Sequence, residues 1–180
     1  MRILPKIYEL IHYLNVFKQS ESKGKEDVGN CPLCGCVTLW RHGHYTRKAD
    51  RESSPGQSLN PIPIQRFYCT TCKKTHSVLP ECIPPRRWFL WSVQHAVLVA
   101  VLLGQSVWAV AEKSLPSRQT ISRWCARFKA QFHLHKDALC DLSPELGRAS
   151  CFTDFWSAFL KRERLSSAMY QCHAAGIAIP

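Results

Sequence analysis

The chain has 180 residues, 46% of them hydrophobic and 21% charged. That length suits one or two small domains, and that composition excludes an intrinsically disordered chain. Lysine and arginine number 24 against 13 acids, a formal charge of +11, which points to a polyanionic partner, nucleic acid before an acidic membrane.

Ten cysteines would suit a secreted disulfide scaffold. Residues 1–17, however, read as an amphipathic segment and not as a secretory signal. A reducing cytoplasm, in association with the nucleoid, is therefore expected, with the cysteines serving as metal ligands or buried thiols. The one long apolar run, Trp88 to Ala111, is broken at Gly104-Gln105-Ser106 and carries Gln94 and His95. A spanning helix needs about 20 mostly apolar residues, so no membrane span is predicted.

In chain order, Ile7, Leu10, Ile11, Leu14 and Phe17 recur at helical spacing and predict an amphipathic helix over 5–18. Residues 19–30 are polar, carry Gly24 and Gly29, and read as a linker. Together residues 1–30 form the first segment.

Residues 31–83 are organised by Cys31-Pro32-Leu33-Cys34-Gly35 and Cys69-Thr70-Thr71-Cys72, a C-x2-C-x34-C-x2-C pattern. Each C-x2-C turn aims two thiolates at one point, and two turns complete a tetrahedron around a structural Zn²⁺. The metal ligands are thus Cys31, Cys34, Cys69 and Cys72. A redox dithiol is the alternative, but it would want a βαβ setting that the sequence lacks. Four thiolates on one Zn²⁺ would reduce the charge to about +9. Cys36, His42, His44, His76 and Cys82 lie nearby, but two pairs already fill a four-coordinate site, and a closed site argues against zinc catalysis.

A strand beginning at Val37-Thr38-Leu39-Trp40 and running to Arg47 is expected, then a loop over 50–60. A second strand from Ile62 into Cys69 follows, its start confined to an edge by Pro61 and Pro63, and a third runs over 75–79. Two knuckles and three short strands make a zinc ribbon, too small to fold on apolar burial alone, so metal binding is linked to folding. Its surface is basic (Arg41, Arg47, Lys48, Arg51, Arg66, Lys73, Lys74), with His44, Tyr45, Phe67 and Tyr68 interleaved, a composition suited to nucleic-acid contact.

Pro84-Pro85-Arg86-Arg87 reads as a stiff hinge. Trp88 to Leu103 reads as a buried helix, apolar on nearly every side and ended by Gly104. Ser106 can cap a short helix over 107–113, Ser114-Leu115-Pro116 a turn, and Ser117 can cap a longer helix from Arg118 to about Phe132. Ile121, Trp124, Cys125, Phe128 and Phe132 form its apolar stripe, with Gln119, Ser122, Arg123 and Arg127 opposite. A short helix, a tight turn and a second helix with a basic outer face match a helix-turn-helix over 84–140, whose second helix enters the major groove. The spacing favoured in such units puts a small residue, a glycine and a branched residue at Ala111, Leu115 and Ile121, with Leu115 departing from glycine. A plain helical hairpin with a solvated basic face is the alternative.

In residues 141–180, Ser143-Pro144 marks a break. Phe152, Phe155, Trp156, Phe159 and Leu160 lie on one helical face, and Leu165, Met169 and Cys172 mark another helix ended by Gly176. These helices complete the core or, given so dense an aromatic face, form a dimer surface. The fold class is α+β, a three-stranded zinc ribbon followed by a mostly helical helix-turn-helix domain.

Ribbon and helix pair together resemble the DNA-binding proteins and N-terminal regions encoded by bacterial insertion sequences, the transposase-associated proteins. The resemblance rests on CPLCG (31–35), Trp40 to Tyr45, Gln65 to Ser77, and Ser117 to Trp124. It implies zinc on the four cysteines and a DNA-reading helix over 117–131, with Ser117, Arg118, Gln119, Thr120, Ser122, Arg123, Arg127 and Lys129 as contacts. The partners implied are double-stranded DNA and a second copy or a separate transposase catalytic chain. Full transposases of this kind add a ribonuclease-H-like domain with three metal-binding carboxylates. Asp137, Asp141, Glu145, Asp154 and Glu163 fall on helices or loops with no βαβ alternation, so no catalytic residue is assigned and a non-enzymatic, sequence-preferring DNA binder is expected. The alternatives are a zinc-organised protein-interaction module docking through its aromatic tail, a transcriptional regulator unrelated to transposition, or a catalytic fragment.

Overall fold

The structure, a computed structural model, describes residues 2–4, 7–22, 30–141, 144–177 and 179. The chain is α+β and divides into two compact units, Met1–Leu90 and Trp91–Pro180.

The first unit contains β1 (Arg2–Leu4), α1 (Leu10–Ser22), β2 (Leu39–Arg47), β3 (Ile62–Cys69) and β4 (Thr75–Pro80). Its sheet has the order β1-β4-β3-β2, with β2, β3 and β4 antiparallel and β1 added in parallel to β4. The three expected strands form the antiparallel part of the sheet, and a fourth strand is added to them because Arg2, Ile3 and Leu4 pair with Val78, Leu79 and Pro80. A three-residue strand paired across the length of the unit leaves no periodic signal in the sequence.

Helix α1 starts at Leu10 and reaches Ser22. It therefore begins later than predicted and takes in residues 19–22 of the expected linker, of which residues 23–29 lie outside the described residues. Its buried stripe is Leu10, Tyr13, Phe17 and Ser20, while Ile11 is 58% exposed. Tyr13 lies inside because its hydroxyl donates to the Pro63 carbonyl at 2.9 Å, satisfying the polar end of an otherwise apolar ring. Burial pushes that phenol up to about 12. Ile7 is buried outside the helix, and its carbonyl accepts from the Cys82 N–H at 3.1 Å.

Along β3 the buried residues switch from Ile62 and Ile64 to Phe67 and Cys69. Alternation has a period of two, so this changes which face is buried. The switch lies opposite a bulge in β2 between Arg41 and His44, where Gly43 takes φ +68 and its carbonyl accepts from Gln65 Nε2 at 2.8 Å. Strand β3 is central and not an edge, but around Pro63 its register partners come from β2, and pairing with β4 covers Arg66–Tyr68. That spares the proline a missing ladder bond.

The 50–60 loop is held by Asp50, which is buried. Its carboxylate accepts from the N–H groups of Leu59 at 2.7 Å, Ser53 at 3.2 Å and Glu52 at 3.3 Å, and its own N–H donates to Asn60 Oδ1 at 3.0 Å. Pro84 and Pro85 are buried, and Arg47 donates to the carbonyls of Pro84 and Arg87.

The second unit contains α2 (Trp91–Leu102), α3 (Val107–Lys113), α4 (Arg118–Ala130), α5 (Phe132–Cys140), a 3-10 turn over Pro144–Arg148, α6 (Phe152–Leu160) and α7 (Leu165–Ala174). Helix α2 is shorter than predicted, and only Trp91, Gln94, Val97 and Leu98 are buried. Trp88 and Leu103, assigned to the same buried helix, are 68% and 77% exposed. Uniform apolarity hid which face was inside. The C-terminal aromatics are core: Phe155, Trp156 and Phe159 are at most 2% exposed. Trp156 meets Phe128 and Phe155 edge-on with ring centroids at 5.5 Å. Each such side chain contributes roughly 1.5–3 kcal/mol on burial. The Phe155-Trp156-Phe159 stripe is therefore not a dimer surface, and an interaction module would need another face. Leu165, Met169 and Cys172 close the same core from α7, and Gly176 ends that helix with φ +75.

Among the described residues no helix is long and apolar enough to cross a membrane.

Candidate metal centre and basic helix

The two C-x2-C segments fold into matching turns. In the first, Leu33 N–H points at Cys31 Sγ at 3.5 Å; in the second, Cys72 N–H points at Cys69 Sγ at 3.4 Å. The Cys31 N–H donates to the Cys36 carbonyl at 2.8 Å, and the Cys69 N–H to the Lys74 carbonyl at 2.9 Å. Each turn closes five residues past its first cysteine. Both then need a left-handed residue after the second cysteine: Gly35 at φ +72 and Lys73 at φ +57.

The sulfurs of Cys31, Cys34, Cys69 and Cys72 all lie within 4.8 Å of one another, so these four residues could hold a metal ion. Cys31 and Cys72 stand 3.7 Å apart, Cys34 and Cys69 3.6 Å. Around a tetrahedral ion with metal–sulfur bonds of about 2.3 Å, neighbouring sulfurs fall about 3.8 Å apart. The donor set and its spacing both fit.

Electrostatics say the same. Burial would raise the Cys31 thiol, but the N–H groups of Cys34 and Leu33 outweigh it and pull it down to about 7. The Cys36 N–H favours the Cys34 thiolate, yet burial and the sulfurs of Cys69, Cys31 and Cys36 drive that thiol up to about 12. Such crowded sulfurs do not all shed their protons without a cation to neutralise them.

Two further donors flank the four. Cys36 Sγ lies 3.2 Å from Cys69 Sγ, and His76 Nε2 lies 3.2 Å from Cys31 Sγ. Hydrogen bonds from the Thr71 and Thr38 side chains draw the Cys36 thiol down to about 6, and burial lowers the His76 pKa. The sequence pattern gave no reason to prefer either over His42, His44 or Cys82. His42 lies against Tyr68, His44 against Phe17, and Cys82 is in the apolar core.

Of the basic residues on the sheet, Arg41 donates to the Ser20 carbonyl at 2.8 Å, Arg47 is tied to backbone as above, and the Arg51 guanidinium sits 4.9 Å over Trp88. Lys48, Lys73 and Lys74 are exposed and Arg66 half-buried. Phe67, expected among the surface aromatics, is buried at 3% exposure, whereas Trp40 is 67% exposed.

In the second unit, Ser106 and Ser117 cap α3 and α4, accepting from the N–H groups of Ala109 and Thr120. Four residues, 114–117, join the helices. Leu115 is 58% exposed and keeps an ordinary backbone, so this turn does not require glycine there. Ile121, Trp124 and Phe128 of α4 are buried and Cys125 half-buried. Phe132, predicted as the end of this stripe, opens α5 after a break at Gln131.

Ser117, Arg118, Gln119, Ser122, Arg123, Arg127 and Lys129 are exposed and Thr120 is half-buried. Arg118, Gln119, Ser122 and Arg123 line a shallow cleft of about 370 Å³. Arg123 lies back along the helix, with Nε donating to the Gln119 carbonyl at 3.3 Å. Asp137, Asp141 and Asp154 are exposed on α5, just beyond it and on α6.

No curated protein and no solved structure matches the chain. Residues 31–124, more than half of the chain, match the family described as Domain of unknown function (DUF6431). The match runs from the first cysteine of the cluster to the buried tryptophan of α4, and the chain belongs to that family.

Proposed function

We infer that the protein is a zinc-dependent, sequence-preferring binder of double-stranded DNA, of the kind encoded by insertion sequences, acting as a binding subunit and not as the strand-transfer enzyme. The observation that carries this reading is the outer face of α4. The helix contains no acidic residue, buries Ile121, Trp124 and Phe128, and leaves Arg118, Gln119, Ser122, Arg123 and Arg127 toward solvent. Arginine and glutamine are the side chains suited to guanine and adenine edges, and a capped short helix, a four-residue turn and α4 suit presentation in a major groove. The four-cysteine cluster fits Zn²⁺ by donor type and by sulfur spacing, and as a closed thiolate site it would be structural. In this reading the first unit is a zinc ribbon, the second carries a helix-turn-helix, and a second copy or a separate catalytic chain completes the assembly.

The test is a titration of the zinc-loaded chain against duplex DNA across a salt series. Neutralising several phosphates requires a steep linear fall of log affinity with log salt. A flat response, or no duplex binding near about 100 mM salt, removes the reading.

A further inference from the structure

We propose that the outward face of the cysteine-bearing sheet is a stacking platform for unpaired bases, a site for single-stranded nucleic acid separate from α4. At this end of the sheet the inward residues are Phe67, Cys69 and His76, all at most 4% exposed. The opposite row follows from the register: Trp40 pairs with Tyr68, and Tyr68 with Thr75. Residues opposite one another share a face, and neighbours along a strand alternate between faces. Trp40, Tyr68 and Thr75 therefore form one outward row across three strands. Trp40 is 67% exposed, Thr75 is exposed and Tyr68 half-buried. The His42 ring lies 5.9 Å from that of Tyr68 at an interplanar angle of 36°, extending the row of flat side chains.

Three observations identify the occupant. First, an indole this exposed keeps most of its apolar area in water, so it contributes little to the core. Second, the segments that build the platform carry cations and no acid. No aspartate or glutamate occurs from Asn30 to Ala49 or from Pro61 to Pro80, while Arg66, Lys73 and Lys74 occur there. Arg66 shares the outward face by alternation with Tyr68, and Lys73 and Lys74 are exposed in the turn that joins β3 to β4. An apolar partner would offer these cations no counter-charge, whereas a phosphate backbone supplies it. Third, the rings lie in a row on an open sheet surface. Bases in a duplex are already stacked on one another and offer only their edges, whereas an unpaired strand can lay its bases on such rings.

The proposal does not depend on duplex recognition by α4, and its test is read separately. The zinc-loaded full chain is titrated by fluorescence anisotropy with labelled oligothymidylate of roughly 12 nucleotides, with oligouridylate of equal length, and with an abasic strand carrying the same phosphates without bases. At least one base-bearing strand is expected to bind about tenfold tighter than the abasic strand; which one binds assigns the sugar preference. Trp40→Ala should remove that advantage, Trp40→Phe should keep most of it, and neither should change duplex affinity or metal content. Equal binding of abasic and base-bearing strands overturns the proposal without any variant. So does a Trp40→Ala protein of unchanged metal content that still prefers bases.

Discussion

Gly35 and Lys73 occupy the same place in two copies of one turn, each following the second cysteine of its pair, with φ +72 and +57. Glycine enters that region freely, whereas a residue with a Cβ is strained there. Lys73→Gly is therefore expected to stabilise the first unit by about 0.5–1 kcal/mol, and Gly35→Ala to destabilise it by about 1 kcal/mol or more. Thermal unfolding of the zinc-loaded variants decides it; a lower melting temperature for Lys73→Gly would mean the lysine side chain contributes more than its backbone costs.

Metal removal should act on one unit. The first gathers four sulfurs, which could hold a metal ion, beside a modest apolar core, whereas the second is built on interlocking aromatics. Structural zinc contributes roughly 10–16 kcal/mol in small thiolate sites. A heat scan is expected to show two transitions, of which a chelator abolishes one and leaves the helical one in place. A chelator that shifts neither, with four free thiols in the folded chain, contradicts the metal assignment.

Arg123 and Lys129 should separate two kinds of DNA contact. Arg123→Ala is expected to cost about 1–3 kcal/mol at one base position and to relax preference there. Lys129→Ala, at the last turn of α4, should weaken all sequences alike and reduce the salt slope by about one. Identical behaviour of the two in a binding selection would place the reading helix elsewhere.

Asp50 predicts part of the acid limb of stability. Burial would raise its carboxyl pKa, but the N–H groups of Leu59, Ser53 and Glu52 and the Ser53 side chain outweigh it, and the net shift is downward. A carboxyl depressed in the folded state contributes stability that is present above its unfolded value, near about 3.9, and lost as pH falls through the folded value. Asp50→Asn should lower stability at neutral pH by about 1–3 kcal/mol and flatten the fall below about pH 4 relative to the parent. Parallel acid limbs for the two proteins would show that Asp50 is not what the loop loses.

The cysteine spacing, the three antiparallel strands and the capped helices α3 and α4 could be read from sequence because each is a local pattern. Four cysteines at two fixed intervals need no knowledge of the rest of the chain, and Ser106 and Ser117 sit where a cap must be. What was illegible depends on distant partners. β1 exists through Val78, Leu79 and Pro80. Tyr13 displaced Ile11 from the inner face because the Pro63 carbonyl was there to receive its hydroxyl. The stripe of α4 appeared to run on to Phe132 because nothing local at Gln131, neither proline nor glycine, signals the break into α5. Around the candidate centre the four principal donors were legible, but Cys36 and His76 became neighbours only through the register of β3 with β4 and the closure of the first turn.

Those two extra donors bear on how the protein tolerates mutation. Cys36 stands beside Cys69 and His76 beside Cys31, so exchange of Cys69 or of Cys31 leaves a second donor next to the vacated position. Cys69→Ser alone is therefore expected to weaken metal binding less than Cys69→Ser combined with Cys36→Ser, as read by chelator titration. A scan of single exchanges would then understate how much the first unit owes to its sulfur.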